Sequence, residues 1–470
     1  MAGGVDRVAG SMALAAALAS WSATPTVLAN GRYPSAQQLI EDPRSPEHLI
    51  VRATYGLLVT RDTGKRWSLI CEQAVGYGGN EDPALGLLGD GTLLAGLFGG
   101  LALGSADGCT WSKAQGALGE LEIVDVSVDP LERARALALG REAQHGLSTH
   151  RLWRTSDSGA SWQRLGGPFG AELDLVATAF DVAASDPKRV YVSGLGLVPA
   201  LRGVLLRTDN GGVGWTLLPI ADTGPQAVPF FTAVAPNDRD TIYVRVRGSN
   251  RDRLLVSSSG GQSWRSVLEG RAVMAGFALS PDGTQVAVGF GLPDRPGLVD
   301  CSALGIWKAS TRDLAFSKVF HGAVQCLTWT QRGLYACTHE RSEGFQLGLS
   351  QDGGQSFASL MKLRSVQGLA CPSPSMLAAL CAGPWRELCP VIGTTCTGGD
   401  AGVPGIPPIG GVPGCLGDAG LPVAPGDAGS AGLRDAAAGS DGARPVVPGD
   451  AGSGAGRRDA GTDADAVSSV

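Results

Sequence analysis

Short runs of apolar residues alternate with turn-forming clusters along most of this chain. Each run is rich in β-branched or aromatic residues and follows a turn rich in Asp, Asn, Pro or Gly, as residues 49–51 follow Asp42-Pro43. The same arrangement recurs before residues 190–192, 242–244 and 286–288 and, in looser form, at Asp90-Gly91 and Asp129-Pro130. Pro and Gly interrupt strands, whereas Val, Ile and Tyr favour them. The pattern therefore predicts an all-β chain of short strands.

An eight-residue frame, Ser/Thr-x-Asp-x-Gly-x-Ser/Thr-Trp, repeats through the same part of the chain. Its copies begin at residues 60, 105, 155, 208, 257, 309 and 350, so successive copies start 41 to 53 residues apart. The second copy is one residue shorter, and the sixth keeps little but its final aromatic residue. The third position holds Asp62, Asp107, Asp157, Asn210, Ser259 and Asp352, and the last holds Trp67, Trp111, Trp162, Trp215, Trp264 and Phe357. A period of roughly 40–50 residues is typical of one four-stranded propeller blade.

The chemistry of the frame indicates a hairpin turn between the third and fourth strands of each blade. The Asp side chain is expected to accept hydrogen bonds from backbone N–H groups two or three residues on. Gly suits a backbone position with positive φ, and Trp offers a large apolar surface to a neighbouring sheet. A catalytic or metal-binding role for the Asp residues is the alternative. Asn210 and Ser259 favour the structural role, because metal ligands are exchanged less freely.

The frame resembles the Asp-box, or BNR repeat, of the sialidase-like β-propellers. The resemblance covers residues 30–365 and implies a seven-bladed β-propeller. We expect a signal peptide at residues 1–29, the propeller at 30–365, a Cys-rich closing or cap segment at 366–397 and a low-complexity tail at 398–470. The non-catalytic members of this superfamily include sortilin-like receptors and photosystem assembly factors. The resemblance is therefore specific for fold and uninformative about function.

The N-terminus predicts export. Arg7 supplies a positive charge, residues 12–20 form a short apolar run, and residues 27–29 fit a small-residue cleavage site. The alternative is a disordered Ala-rich leader. The run is too short to span a bilayer as a helix, and we expect no other transmembrane segment. The expected location is periplasmic, cell-surface or secreted.

The ten cysteines agree with export, because an even number in an exported chain suggests disulfides. Cys326 and Cys337 flank a predicted hairpin and form one candidate pair. Cys71 and Cys109, on the outer strands of adjacent predicted blades, are the other candidates. A cluster of four cysteines at residues 371–396 is expected to close the end of the domain. A zinc site is the alternative, but the cluster lacks the close Cys pairs that zinc favours.

The tail is dominated by Gly, Ala, Asp and Pro, and Gly-Asp-Ala-Gly occurs four times from residue 399 onward. Such a segment cannot bury enough apolar surface to offset its chain entropy, so we expect a disordered linker or stalk. Calcium loops are the alternative, but the spacing is irregular and no Glu closes a loop. The tail resembles the stalks of myxobacterial surface proteins and lacks the apolar segment that follows those stalks.

The remaining chemistry is sparse. A net charge of −6 without a concentrated basic region predicts no nucleic-acid binding. Arg32-Tyr-Pro34 is the nearest approach to the Arg-Ile-Pro motif that the resemblance to sialidases implies, and no tyrosine carries a Glu-containing signature. The endoglucanases with this repeat have two propellers, whereas this chain has repeats for one. The histidines lack metal-ligand spacing and no phosphate-binding loop is present. We therefore expect no catalytic residue, cofactor or metal.

These observations favour an exported, non-catalytic β-propeller that binds an unknown protein or carbohydrate ligand across one face. Residues 140–151 and 292–304 are the longest predicted insertions between repeated strands and are our candidates for a binding rim. The alternative is a divergent carbohydrate-active enzyme of the sialidase or endoglucanase type. Such an enzyme needs two or three polar residues that break the repeat on the channel-facing loops.

Overall fold

The computed structural model describes residues 36–394, apart from Asn80, Pro225 and residues 293–299. Within these residues the chain forms seven sheets of four antiparallel strands, one of which gains a fifth, parallel strand, and they are arranged as the blades of a seven-bladed β-propeller. The expected signal peptide at residues 1–29 and the expected tail at 398–470 lie outside the described residues. The prediction of an all-β, seven-bladed propeller is confirmed.

Each blade takes its four strands from one continuous stretch of chain, with the first strand innermost. In chain order the strands are β1 (Ala36–Asp42), β2 (Ser45–Ala53), β3 (Gly56–Thr60) and β4 (Trp67–Cys71); β5 (Ala84–Leu87), β6 (Leu93–Leu97), β7 (Gly100–Gly104) and β8 (Trp111–Lys113); β9 (Glu122–Val128), β10 (Ala136–Gln144), β11 (Leu147–Thr155) and β12 (Gln163–Phe169); β13 (Leu175–Val182), β14 (Val190–Gly196), β15 (Arg202–Thr208) and β16 (Thr216–Pro219); β17 (Ala227–Ala235), β18 (Asp238–Gly248), β19 (Asp252–Ser257) and β20 (Arg265–Gly270); β21 (Val273–Leu279), β22 (Gln285–Gly291), β23 (Gly305–Ser310) and β24 (Ser317–Phe320); β25 (Val324–Thr330), β26 (Gly333–Thr338), β27 (Leu347–Ser350) and β28 (Ala358–Met361). The inner strands of neighbouring blades contact one another around the ring, and β25 contacts β1 where the ring closes.

Three α-helices, three 3-10 helices of three or four residues and one further strand complete the described chain. Helix α1 (Glu72–Val75) follows the first blade, and helix α2 (Glu340–Glu343) lies in the last one. Strand β29 (Val366–Leu369) and helix α3 (Met376–Val391) come after the last blade, and we call them the closing segment. Ser375 caps α3 by accepting a hydrogen bond from the backbone N–H of Ala378.

The apolar core lies between the blades. Each principal cluster joins the facing sheets of neighbouring blades, and the last aromatic residue of a frame packs against the cluster shared with the preceding blade. Trp162 packs between blades 2 and 3, Trp215 between blades 3 and 4, and Trp264 between blades 4 and 5. Trp67 is fully buried where the last blade meets the first, and its indole N–H donates to the Leu360 carbonyl at 3.0 Å.

The frames form the turns between the third and fourth strands. In the third copy the N–H of Gly159 donates to Thr155 Oγ1 and the N–H of Ser161 donates to Asp157 Oδ1, each at 2.9 Å. In this copy the N–H that donates to the Asp carboxylate therefore belongs to the residue four positions after the Asp. Only the short second copy uses the N–H two positions after the Asp, where Cys109 donates to Asp107. The longer reach follows from two consecutive left-handed residues, Ser158 at φ 55° and Gly159 at φ 85°.

The ring closes without a shared strand. Instead, β29 crosses from the last blade to the first and pairs in parallel with β4, the outer strand of blade 1. Helix α3 then packs against β4, α1 and β29. Two disulfides fix this closing segment, Cys371 to Cys109 in blade 2 and Cys381 to Cys71 in blade 1. The C-terminal end of the described chain therefore holds the first two blades covalently.

One expectation about the cysteines is met and one is wrong. Cys326 and Cys337 are opposite one another on β25 and β26 and form a disulfide. Cys71 and Cys109 are both in disulfides, but not with each other. The physical reason is that the closing segment lies along the outer edge of β4 and presents its own cysteine to each of them. The sequence pattern of the blades contains no sign of this added layer.

We expect the two long-range disulfides, Cys71–Cys381 and Cys109–Cys371, to contribute non-additively to the free energy of unfolding. Replacing Cys71 and Cys381 by Ala, or Cys109 and Cys371 by Ala, should each lower the free energy of unfolding by about 2–4 kcal/mol. Removing both bridges should lower the free energy of unfolding by more than the sum of the two single losses. The reason is that, after one bridge is removed, the other still restricts the unfolded chain over a separation of 262 or 310 residues. Denaturant unfolding without reductant measures this, and Cys326→Ala with Cys337→Ala, 11 residues apart, is the matched control. Simple additivity of the two losses would contradict the prediction.

Candidate functional site

The strands alternate in direction, so the connections between them fall on two faces. The frame face carries the frame turns and the connections between the first and second strands of each blade. The opposite face carries the connections between second and third strands and the crossovers to the next blade. A ligand site on either face is built from connections of one kind, repeated around the ring.

The two candidate rim segments lie on the opposite face. Residues 140–151 are not a loop, because β10 and β11 stay paired as far as Gln144 and Leu147. They end in a two-residue turn at His145 and Gly146, both with positive φ, which matches the twist of the hairpin. Part of the second segment, residues 293–299, lies outside the described residues. Its described end, residues 300–304, forms a turn in which the Ser302 N–H donates to Asp300 Oδ1 at 3.0 Å.

Two carboxylates on the inner strands bridge neighbouring blades. Asp125 on β9 accepts hydrogen bonds from its neighbour Val126 at 2.8 Å and from the N–H of Phe180, in the next blade, at 3.1 Å. Asp181 on β13 accepts in the same way from Val182 at 2.8 Å and from Val234, one blade further on, at 3.4 Å. Each carboxylate oxygen is therefore already engaged by a backbone N–H.

Burial dominates the electrostatics of this pair. It raises the pKa of Asp125 to about 7 and the pKa of Asp181 to about 6, because the ionised forms lose hydration between the inner strands. The charge of Asp181 adds to the effect on Asp125. A fraction of both groups is therefore protonated near neutral pH. Raised carboxyl pKa values also occur in general acids, so the pair is an acid–base candidate.

His150 on β11 is the other strongly perturbed group. It is fully buried beside Phe169, with ring centroids 6.1 Å apart, and burial lowers its pKa to about 3. Within the described residues neither ring nitrogen has a hydrogen-bond partner. No group of three or more His, Cys, Asp or Glu side chains in the described part of the chain is placed to hold a metal ion. His150 is therefore a neutral member of the core.

A cleft of 720 Å³ opens on the frame face between blades 3 and 4. It extends from the inner strands, at Ser127 and Asp181, to the outer strand at Leu165 and Gly166. Its walls are mainly apolar, and Val213 in the fourth frame lies at its edge with 74% of its surface exposed. The apolar lining residues are Val128, Pro130, Leu137, Val182, Pro187, Val190, Val234 and Pro236. Volume and lining both fall in the range of ligand sites.

The charged side chains around this cleft are mainly cationic. Arg154 and Lys188 line it, and among the described residues neither side chain has an ion-pair or hydrogen-bond partner. Arg135 pairs with Glu132 at 2.7 Å, and the Asp129 carboxylate accepts from two backbone N–H groups of its own turn. The frame beside the cleft carries Asn210 in place of Asp, which removes a negative charge from the wall. The cleft therefore favours an anionic group next to an apolar one.

Two other cavities among the described residues lack this combination. A cavity of 890 Å³ along the closing segment is lined by residues 367–382 and has no ionisable side chain in its wall. One of 510 Å³ between blades 6 and 7 offers mainly turn residues. The sequence did not single out Arg154 or Lys188, although the exchange of Asp for Asn210 next to them was visible. We take the cleft between blades 3 and 4 as the candidate site.

In the described part of the chain, no helix has both the length and the apolar character needed to cross a bilayer. No protein-family model matches the chain, and no curated protein matches it either.

Solved structures of similar chain trace include β-propellers of different kinds. A β-propeller domain from Myceliophteria thermophila is 12% identical with a TM-score of 0.41, over 66% of this chain and 97% of its own. A GH74 enzyme of Niastella koreensis is 12% identical with a TM-score of 0.37, over 69% and 65%. The extracellular domain of a putative hybrid two-component system from B. thetaiotaomicron is 10% identical with a TM-score of 0.46, over 67% and 38%. Likenesses at this level concern the chain trace and say nothing about activity or ligand.

The buried carboxylates predict a pH dependence of stability. Their pKa values are raised in the folded chain above 3.8, so the folded chain holds these protons more tightly than the unfolded chain. Their contribution to the free energy of unfolding should therefore fall as the pH rises from about 4 to 7, by up to about 1 kcal/mol per pH unit for each group. Urea unfolding across this range measures the slope.

Asp125→Asn should flatten that slope while lowering stability overall, because the amide nitrogen then opposes a backbone N–H. Asp222→Asn is the control, since the Asp222 side chain is 85% exposed. An unchanged slope in the Asp125 variant would show that Asp125 is ionised in the folded chain at pH 4.

Proposed function

We propose that this protein is an exported, non-catalytic β-propeller that binds a protein or glycan ligand in the cleft between blades 3 and 4. The observation that carries the proposal is the pair of unpartnered cations, Arg154 and Lys188, at the edge of an apolar cleft. A ligand with a carboxylate, sulfate or phosphate group next to an apolar patch satisfies both features.

The frame carboxylates support a structural role rather than catalysis. Asp62 accepts hydrogen bonds from the Arg66 guanidinium and backbone, and the guanidinium bond is the main reason that its pKa falls to about 2. The pKa of Asp157 is lowered by its bonds to Ser161 and Thr155. A general acid needs the opposite shift, toward neutral pH. Fixed turn carboxylates of this kind match the Asp-box repeat, and we place the chain in that superfamily as part of the proposal.

The disulfides support export. The bridges from Cys71 and Cys109 join distant parts of one domain, and a third bridge links Cys326 to Cys337 within a hairpin. Such bonds form and persist in oxidising compartments. The expected signal peptide at residues 1–29 would direct the chain to export. The location is therefore periplasmic, cell-surface or secreted.

A carbohydrate-active enzyme is the second candidate, and Asp125 with Asp181 is the observation that favours it. Glycoside hydrolysis uses two carboxyl groups, a general acid with a raised pKa and an ionised partner that acts as nucleophile or base. Asp125, with the higher pKa, would be the acid and Asp181 its partner. Both carboxylates accept hydrogen bonds from the next blade, from the backbone N–H groups of Phe180 and Val234, and these bonds favour a structural role in holding neighbouring blades together. Turnover assays separate the two roles.

The test uses the mature chain produced in an oxidising compartment, a glycan array with uronate, sialylated and sulfated members, and a library of acidic peptides. We expect saturable binding of an acidic member without cleavage. Arg154→Glu with Lys188→Glu should weaken that binding by about ten- to a hundredfold, because the ligand anion then meets two like charges. Titration calorimetry measures the affinity, and mass spectrometry of the glycans detects products.

Lys65→Glu with Arg312→Glu is the matched control, because both residues are exposed cations in the frame turns of other blades and the double reversal changes the net charge by the same amount. Equal loss in the control and the cleft variant would mean that net charge, and not the cleft, governs binding. Product release from a glycan, abolished by Asp125→Asn in a folded variant, would establish the enzyme instead.

A further inference from the structure

Three side chains of blade 3 form a row along one wall of the candidate cleft. Ser127 on β9, Leu137 on β10 and Arg154 on β11 are directly opposite one another in the strand register, and all three line the cleft. Residues opposite one another on antiparallel strands share a face of the sheet, and neighbouring strands are about 4.8 Å apart. The wall therefore presents a polar, an apolar and a cationic side chain in turn, over about 10 Å from the inner strand outward.

The polar groups at the inner end of this row bond to one another. Ser127 Oγ donates to Asp181 Oδ1 at 3.3 Å, which joins blade 3 to blade 4, and the N–H of Val182 donates to the same oxygen at 2.8 Å. The other oxygen of Asp181 accepts from the N–H of Val234 at 3.4 Å. Because these groups are already engaged, the part of a ligand that lies beside Leu137 gains most by being apolar.

Cations line the cleft from both blades. Arg154 belongs to the third strand of blade 3, and Lys188 belongs to the turn between β13 and β14 of blade 4. Both side chains are exposed, so either can move toward a ligand without unfolding its blade. A carboxylate held between the two walls is attracted by both positive charges and accepts charge-assisted hydrogen bonds. The cleft therefore fits an apolar group beside Leu137 and an acidic group one strand further out.

The chemistry of the lining suits a peptide better than a glycan. Among the described residues that form the cleft, none is aromatic. Asn210 Oδ1 accepts from the N–H of Gly214 at 2.8 Å, and the Asp129 carboxylate accepts from two N–H groups of its own turn. A sugar ring carries several hydroxyl groups, and each one that enters an apolar place without a partner costs free energy. An aliphatic side chain has no such cost there.

We propose that the occupant of this cleft is an extended segment of a partner protein, with an aliphatic residue beside Leu137 and an acidic residue two positions away, beside Arg154. This inference rests on the function proposed above and narrows its ligand to a peptide. Residues i and i+2 of an extended chain share a side and are about 7 Å apart, a step that the long arginine side chain can meet. The cleft extends to Leu165 on β12 and so crosses four strands, or about 14 Å, which holds about four extended residues.

A set of short peptides tests the spacing. Each peptide has one Leu and one Glu in a serine background, one, two or three positions apart and in both orders, with blocked termini so that every member carries the same charge. Titration calorimetry with the mature chain measures the affinities. We expect a spacing of two to bind about tenfold more tightly than a spacing of one or three, because only that spacing puts both side chains on one side. Equal affinity at all three spacings would overturn the extended register.

Two variants identify the contacts. Leu137→Ala should weaken binding of the Leu-Ser-Glu peptide by about tenfold and hardly change binding of the matched Ala-Ser-Glu peptide, because only the leucine loses a contact. Leu217→Ala is the matched control, since Leu217 is an exposed leucine on β16 that does not line the cleft. Arg154→Met with Lys188→Met changes exposed residues only, and it should abolish the preference for Glu over Gln in the same peptide.

The results separate this inference from the proposed function. If an acidic glycan binds and Arg154→Glu with Lys188→Glu weakens it, while no peptide of the set binds, the peptide ligand is overturned and the cleft remains the binding site. If a peptide binds but neither the Leu137 variant nor the methionine variant changes its affinity, the placement in the cleft is overturned. If neither glycans nor peptides bind in a way that depends on the two cations, both proposals fail.

Discussion

The inner strand of every blade is an edge strand, and this constraint shapes the centre of the molecule. An edge strand carries a row of N–H and C=O groups without a strand partner, and each such group left unsatisfied in a buried place costs about 1–3 kcal/mol. Side chains of the adjacent blade satisfy them. Asp125, Asp181, Ser193 and Asp252 accept from N–H groups of the following blade. The polar residues in these apolar strands are thus what allows neighbouring blades to meet.

The same requirement returns where the chain closes the ring. The N–H of Ala36 donates to the Gln346 side chain at 3.1 Å, and Thr328 Oγ1 donates to the carbonyl of Leu39 at 3.2 Å. These contacts join blade 7 to blade 1, and forming them orders residues that are 289 and 310 positions apart in sequence. No strand is shared, so noncovalent contacts alone would have to offset that entropy. The disulfides from the closing segment to Cys71 and Cys109 lower the conformational entropy of the unfolded chain, so that less entropy is lost when the chain folds.

The sequence was enough to predict the repeating part of the fold and little of the site. The frame repeats because each turn needs a side-chain acceptor, a left-handed Gly and an aromatic residue at fixed positions, so its spacing predicted seven blades. The partners of Cys71 and Cys109 were not predictable, because they lie in a segment outside the repeat. Asp125 and Asp181 were hidden for a different reason. Each is a single polar residue in an apolar strand, and its role appears only when the next blade is in place.

Within the described chain, the candidate cleft stands out because Arg154 and Lys188 are left unpaired on a face where comparable arginines are paired. Arg66 bonds to Asp62 at 2.8 Å, Arg239 pairs with Asp186, and the buried Arg189 meets Asp209 and Asp240. In the fourth frame Asn210 replaces the usual Asp. The turn beside Lys188 therefore keeps its side-chain hydrogen bond but lacks the negative charge of a carboxylate. An exposed unpaired cation costs little in water, but one at the edge of an apolar cleft gains most from an anion that also displaces water. The replacement of one carboxylate by an amide thus preserves the turn and leaves the positive charge for a ligand.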